Sequence, residues 1–87
     1  MVSEKIIVSS ALGIHLRPAG AMCDTAVKFD SHITFTFKNK VVNAKSVISI
    51  LALGVGCGDE ITLIAEGPDE EEALKAVSES FRKALQD

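Results

Sequence analysis

The chain has 87 residues, 47% of them hydrophobic and 24% charged, with a net charge of −3 and a pI near 5.3. That length accommodates one domain with a modest core, and the acidic balance argues against a nucleic-acid partner. No apolar run approaches the roughly 20 residues that span a bilayer, the N-terminus lacks a signal-peptide layout, and Cys23 and Cys57 form no metal-ligand cluster. A reduced, cytoplasmic protein without a metal is expected.

In chain order, Val2, Ile6 and Val8 alternate with polar neighbours and predict a first strand, although Glu4 interrupts its apolar face. Ala19, Met22, Cys23 and Ala26 fall at helical spacing and predict a first helix ending near Phe29-Asp30. Gly20 weakens that helix by up to about 1 kcal/mol relative to alanine, which suggests a close approach by another group. Ile33, Phe35 and Phe37 alternate with His32, Thr34 and Thr36 in the clearest strand of the chain, and His32 is expected at the surface. Lys38-Asn39 reads as a tight turn, with Asn39 as the residue that tolerates positive φ. Val41 and Val42 then begin a returning strand.

From Val47 to Val55 nearly every residue is apolar, with Ser49 and Gly54 the exceptions. A helix apolar on all sides is either fully buried or has a partner, and full burial does not suit so small a domain. Ile50 and Leu53 are therefore expected to face the core, leaving Val47, Ile48, Leu51 and Ala52 as a docking patch. Gly54 to Gly58 lacks the Gly-x-Gly-x-x-Gly spacing of a nucleotide-binding loop and reads as a helix end and a connection. Ile61, Leu63 and Ala65 alternate in a fourth strand that Gly67-Pro68 terminates. Asp69, with Glu72 three residues on, predicts a capping box for a last helix whose stripe is Leu74, Val77, Phe81 and Leu85. Cys23 belongs to the core by its spacing, and Cys57 is a loop thiol. The order β-α-β-β-α-β-α, with amphipathic strands, predicts an α+β domain whose antiparallel sheet has one covered face.

The chemistry concentrates in Gly13-Ile14-His15-Leu16-Arg17-Pro18-Ala19. Proline favours the first turn of a helix, so His15 and Arg17 fall at a helix N-terminus, where backbone N–H groups and the dipole attract anions. An imidazole there can attack phosphorus and then carry the phosphoryl group. Taken alone, a His-x-Arg pair more often decorates a loop. Ser46 precedes the apolar segment and suits a helix N-cap.

Gly13 to Ala19 resembles the active-site signature of HPr, the histidine-containing phosphocarrier protein of the bacterial phosphotransferase system. Asn43-Ala44-Lys45-Ser46 with Val47 to Gly54 is similar to the region around that family's regulatory serine, and the likeness covers nearly all of the chain, 1–87, as one HPr domain. The resemblance implies an HPr-like open-faced β-sandwich, with a four-stranded antiparallel sheet and three helices on one face. It implies that His15 accepts a phosphoryl group from enzyme I, through Nδ1, and passes it to sugar-specific IIA proteins. Arg17 and the backbone N–H groups of Leu16 and Arg17 would bind the phosphoryl oxygens. Neither cofactor nor metal is implied, and the protein would be a carrier without independent turnover. Ser46 would be a target of HPr kinase/phosphorylase in carbon catabolite control, where a regulator reads the modified form. Partners would dock on Val47, Ile48, Leu51, Ala52 and Gly20, and no membrane insertion is implied.

Departures from the family pattern accompany the likeness. Leu16 stands where a small residue is usual and Gly20 where alanine is usual, while Asp24, Val27 and Ser49 occupy places that are often basic. Arg17, Lys28, Lys40 and Lys45 remain. An HPr-like regulatory paralogue acting mainly through Ser46 is an alternative reading. A ligand-binding sandwich of ferredoxin-like appearance is another, but it leaves the Gly-x-His-x-Arg-Pro-Ala run without a purpose.

Overall fold

The alternation of apolar and polar residues builds the sheet. In the computed structural model, which describes residues 1–86, β1 (Val2–Ile7), β2 (His32–Phe37), β3 (Lys40–Asn43) and β4 (Glu60–Glu66) form one antiparallel sheet in the order β1-β4-β2-β3. Its register sets Ile6 opposite Ile61, Phe35 opposite Leu63 and Ile33 opposite Ala65. All six side chains are buried on one face. Ser3, Lys5 and Ile7 of β1, on the other face, stay exposed, and Thr34, Thr36 and Thr62 are half-buried. Only the first face is covered, by α1 (Leu16–Ala26), α2 (Val47–Leu51) and α3 (Glu70–Leu85). The expected architecture is the observed one.

The two long helices pack against each other, with the hydroxyls of Thr25 and Ser80 hydrogen-bonded at 2.7 Å. Phe81 of α3 meets Phe35 of β2 edge-on, with ring centroids 6.0 Å apart at 89°. Both rings are fully buried, and burial of each contributes roughly 1.5–3 kcal/mol. Glu4, the polar interruption of β1, turns out to reach Arg82 of α3 in an ion pair. That contact lets a carboxylate occupy the inner row at the margin of the sheet.

Three local expectations are corrected. In the turn after β2, Lys38 rather than Asn39 takes positive φ, at 55°. The middle helix is much shorter than Val47 to Val55: α2 has 5 residues, and the chain leaves it through bonds from Leu53 N–H to Ile50 and from Gly54 N–H to Leu51. These tighter i→i−3 turns end at Gly54, where φ is +67°. Val55 then drops into the core, 4% exposed, as part of a strap and not of a helix. The apolar run thus serves two elements, which periodicity alone does not separate.

The third correction concerns the capping box. The Asp69 carboxylate does not cap α3. It accepts bonds from the Ser31 hydroxyl, the Ser31 N–H and the Asp30 N–H, tying the start of α3 to the connection between α1 and β2. Glu70, not Glu72, reaches back to a backbone donor, accepting from Gly67 N–H at 3.1 Å. The Ser31 hydroxyl, followed by the Asp30 N–H, holds the Asp69 carboxyl below its ordinary value. A carboxyl depressed in the folded state stabilises the fold above its unfolded value, about 3.9 for aspartate, and that stability is lost as pH falls through the folded value. Thermal melts of the unmodified protein should therefore drop below about pH 4, and Asp69→Ala should melt lower at neutral pH with a flatter acid limb.

Candidate functional site

His15 occupies the residue before the first turn of α1, with extended backbone angles of φ −114° and ψ −170°. Its carbonyl accepts the first helical bond, from Ala19 N–H at 3.2 Å, while its half-exposed imidazole makes no capping bond. The ring is therefore uncommitted to the helix it introduces. Leu16 and Arg17 supply the N–H groups that lie ahead of the i→i−4 ladder. Pro18, buried in the first turn, has no N–H for that ladder to miss. The first turn carries no carboxylate, so the positive end of the dipole is not neutralised from within the helix. A ring nitrogen, two backbone donors and a guanidinium at one helix end suit a tetrahedral anion.

The arrangement is held by a contact that the motif does not advertise. Gly13 adopts φ +68°, and a Cβ there would lie 2.5 Å from the Val55 carbonyl oxygen and 2.8 Å from Gly56 Cα. Ile14, 8% exposed, fills the core beside this contact and donates its N–H to the same Val55 carbonyl at 3.0 Å. Further back, Val8 exchanges bonds with Gly58 and Asp59, so the whole entry to α1 lies against the strap after α2. Val55 and Gly56 escaped the sequence reading, where they belonged to a helix end. Lys83 was also missed as a neighbour of the site: it shares a shallow groove between α1 and α3 with Arg17, Ala21, Thr25 and Ser80.

Ser46 is the N-cap of α2, as its sequence context suggested. Its Oγ accepts from Ser49 N–H at 3.3 Å and hydrogen-bonds the Ser49 hydroxyl at 2.9 Å. Just before it, the buried Cys23 thiol donates to the Ala44 carbonyl at 3.1 Å, and burial pushes that thiol's pKa up, with Asp24 adding to the effect. Cys23 lies about 12 Å along α1 from His15 at about 1.5 Å per residue. His15 thus sits beside the exit of α2 and Ser46 beside its entrance. Of the expected docking residues, Ile48 is 81% exposed and Ala52 is also exposed. Val47 and Leu51 are half-buried and pack in part against the core. Lys45 is likewise engaged, donating its Nζ to the Phe29 carbonyl at 2.8 Å. Gly20 is partly exposed, and the close approach expected there is not made among the described residues: a Cβ would meet nothing within 4 Å.

Comparison with known proteins decides the family. The family model for the PTS HPr component phosphorylation site matches residues 2–83. This chain belongs to the HPr family. A histidine-containing phosphocarrier protein from Mycoplasma is 31% identical and superposes with a TM-score of 0.93 over 97% of this chain and 96% of that one. HPr from Thermoanaerobacter tengcongensis is 41% identical, with a TM-score of 0.90 over 100% and 98% of the two chains. Crh, the catabolite repression HPr of Bacillus subtilis, is 37% identical, with a TM-score of 0.75 over 97% of each chain. The protein is accordingly a phosphocarrier of the HPr type, serving partner proteins of the phosphotransferase system. No helix among the described residues is long and apolar enough to cross a membrane.

The Gly13 contact makes a direct prediction for the HPr site. Gly13→Ala forces a side chain into an unfavourable φ and against backbone, which costs of order 1–3 kcal/mol. Its melting temperature should fall by roughly 10 °C, and the amide resonances of residues 14 to 17 should move in NMR spectra. Unchanged spectra for those residues would show that the loop does not depend on the contact.

Proposed function

We propose that this HPr-family protein accepts a phosphoryl group on His15 from phospho-enzyme I and passes it to sugar-specific IIA proteins in the cytoplasm. The observation that carries this reading is an imidazole, free of any capping role, at the N-terminus of α1. In the first transfer a bond forms between a His15 ring nitrogen, Nδ1 by family likeness, and phosphorus while the bond from phosphorus to enzyme I breaks; in the second that N–P bond breaks as phosphorus bonds to the IIA protein. Between the two transfers the phosphoryl oxygens meet the Leu16 and Arg17 N–H groups, and the Arg17 guanidinium adds charge-assisted bonds. Because phosphoryl transfer depends on positioning and electrostatics more than on covalent help, the partner completes the site. Its docking surface draws on exposed Ile48 and Ala52, the outer parts of Val47 and Leu51, and Gly20.

Regulation through Ser46 is the second part of the proposal. Phosphorylation by an HPr kinase/phosphorylase would replace a hydroxyl that caps α2 with a group of about −2 charge. A helix N-terminus tolerates that charge, whereas an acidic partner docking beside it does not. A catabolite control regulator with a basic pocket would gain by the same change. The likeness to Crh supports an alternative in which the protein is a regulatory HPr-like paralogue acting mainly through Ser46 in carbon catabolite control.

Labelling with phosphoenolpyruvate and enzyme I separates the readings. Acid-labile phosphate should appear on the unmodified protein and on His32→Ala, and be absent from His15→Ala. Arg17→Ala should slow transfer at least tenfold, and lysine should restore only part of the rate because it lacks the planar fork. Kinase-modified phospho-Ser46 protein should need a higher enzyme I concentration for the same rate. Label that survives the loss of His15 would refute the carrier reading.

A further inference from the structure

We propose that Leu16 and Gly20 form a knob and a notch by which the phosphoryl-exchanging partner protein selects this carrier, an inference that rests on the function proposed above. Gly20 lies inside α1, and its φ is outside the positive range taken by Gly13, Gly54, Gly58 and Gly67. Its backbone therefore does not require glycine. Packing among the described residues does not require it either, because an added Cβ would meet nothing there within 4 Å. Alanine at such a position holds a helix better than glycine does, so the free protein is less stable for having it. A residue that weakens its own helix without an internal reason, on the helix that presents His15, answers to something outside the chain.

Leu16 lies four residues earlier and so projects from the same side of the helix. It is 68% exposed, a large apolar side chain in solvent immediately beside His15. A protein that exchanges phosphate with His15 brings phosphorus to within about 3.5 Å of the ring. Such a protein necessarily covers Leu16 and the turn that follows. Ile48, on α2 packed against α1, is a second exposed apolar side chain. The occupant is therefore the phosphoryl-exchanging protein, with a recess that receives Leu16 and an apolar side chain seated on the bare backbone at Gly20. Shape at two positions, one turn apart, then decides which partner reaches the histidine.

The test uses enzyme I of the same organism with phosphoenolpyruvate, and reads initial rates of His15 labelling against carrier concentration together with thermal melts. Gly20→Ala should melt about 4 °C higher yet raise the apparent KM at least fivefold. Leu16→Ala should raise KM about tenfold, more than it lowers kcat, and Leu16→Met should recover most of the loss. A Gly20→Ala protein that melts lower has an internal use for its glycine and overturns the inference. Unchanged KM in either alanine variant overturns it as well. If the unmodified protein takes no label at all, the carrier reading itself fails, and the pair loses its partner with it.

Discussion

One backbone contact sets the position of His15. Gly13, at φ +68°, lies so close to the Val55 carbonyl and Gly56 that no side chain fits between them. The same carbonyl accepts the Ile14 N–H, and Ile14 is anchored in the core. With both residues fixed, His15 is left extended, and α1 starts at Leu16 with its first N–H groups outside the helical ladder. The strap that supplies Val55 is itself held between the end of α2 and β4. Loop, strap and helix start are therefore a single packed unit, and the site inherits the rigidity of the core.

The separation of the two proposed modification sites restricts how one could influence the other. His15 is at the start of α1, whereas Ser46 comes two residues after Ala44, whose carbonyl accepts from Cys23, about 12 Å further along that helix at 1.5 Å per residue. That distance is comparable to or longer than the screening length of about 8–10 Å at ordinary ionic strength. A phosphate on Ser46 would act weakly on the His15 ring by direct field. It would act strongly on a protein lying across both ends of the α1–α2 pair, because both charges then border one interface. A regulatory phosphate on Ser46 would therefore act through docking.

Much of this was legible in the sequence because the decisive signals are local. The alternation at Ile33 to Phe37 and at Ile61 to Ala65, and the proline after His-x-Arg, each state a backbone geometry within a few residues. What escaped detection depended on distant partners. Asp69 looked like a cap, but Ser31 and Asp30 claim its carboxylate across the fold. Glu4 looked like a flaw in β1 until Arg82 of α3 came beside it. The run from Val47 to Val55 carries no mark at the point where helix becomes strap, since both halves bury apolar side chains. Gly20 suggested a close approach that no group among the described residues makes.

The most direct test of how the phosphoryl group is held is the proton–nitrogen NMR spectrum of the protein before and after phosphorylation on His15. The Leu16 and Arg17 amide protons should move strongly downfield as they bond to phosphoryl oxygens, while amides of the open sheet face, such as Lys5 and Thr62, stay in place. Phospho-His15 protein in which the Leu16 and Arg17 amides do not move would contradict the assignment of the helix N-terminus as the phosphate seat.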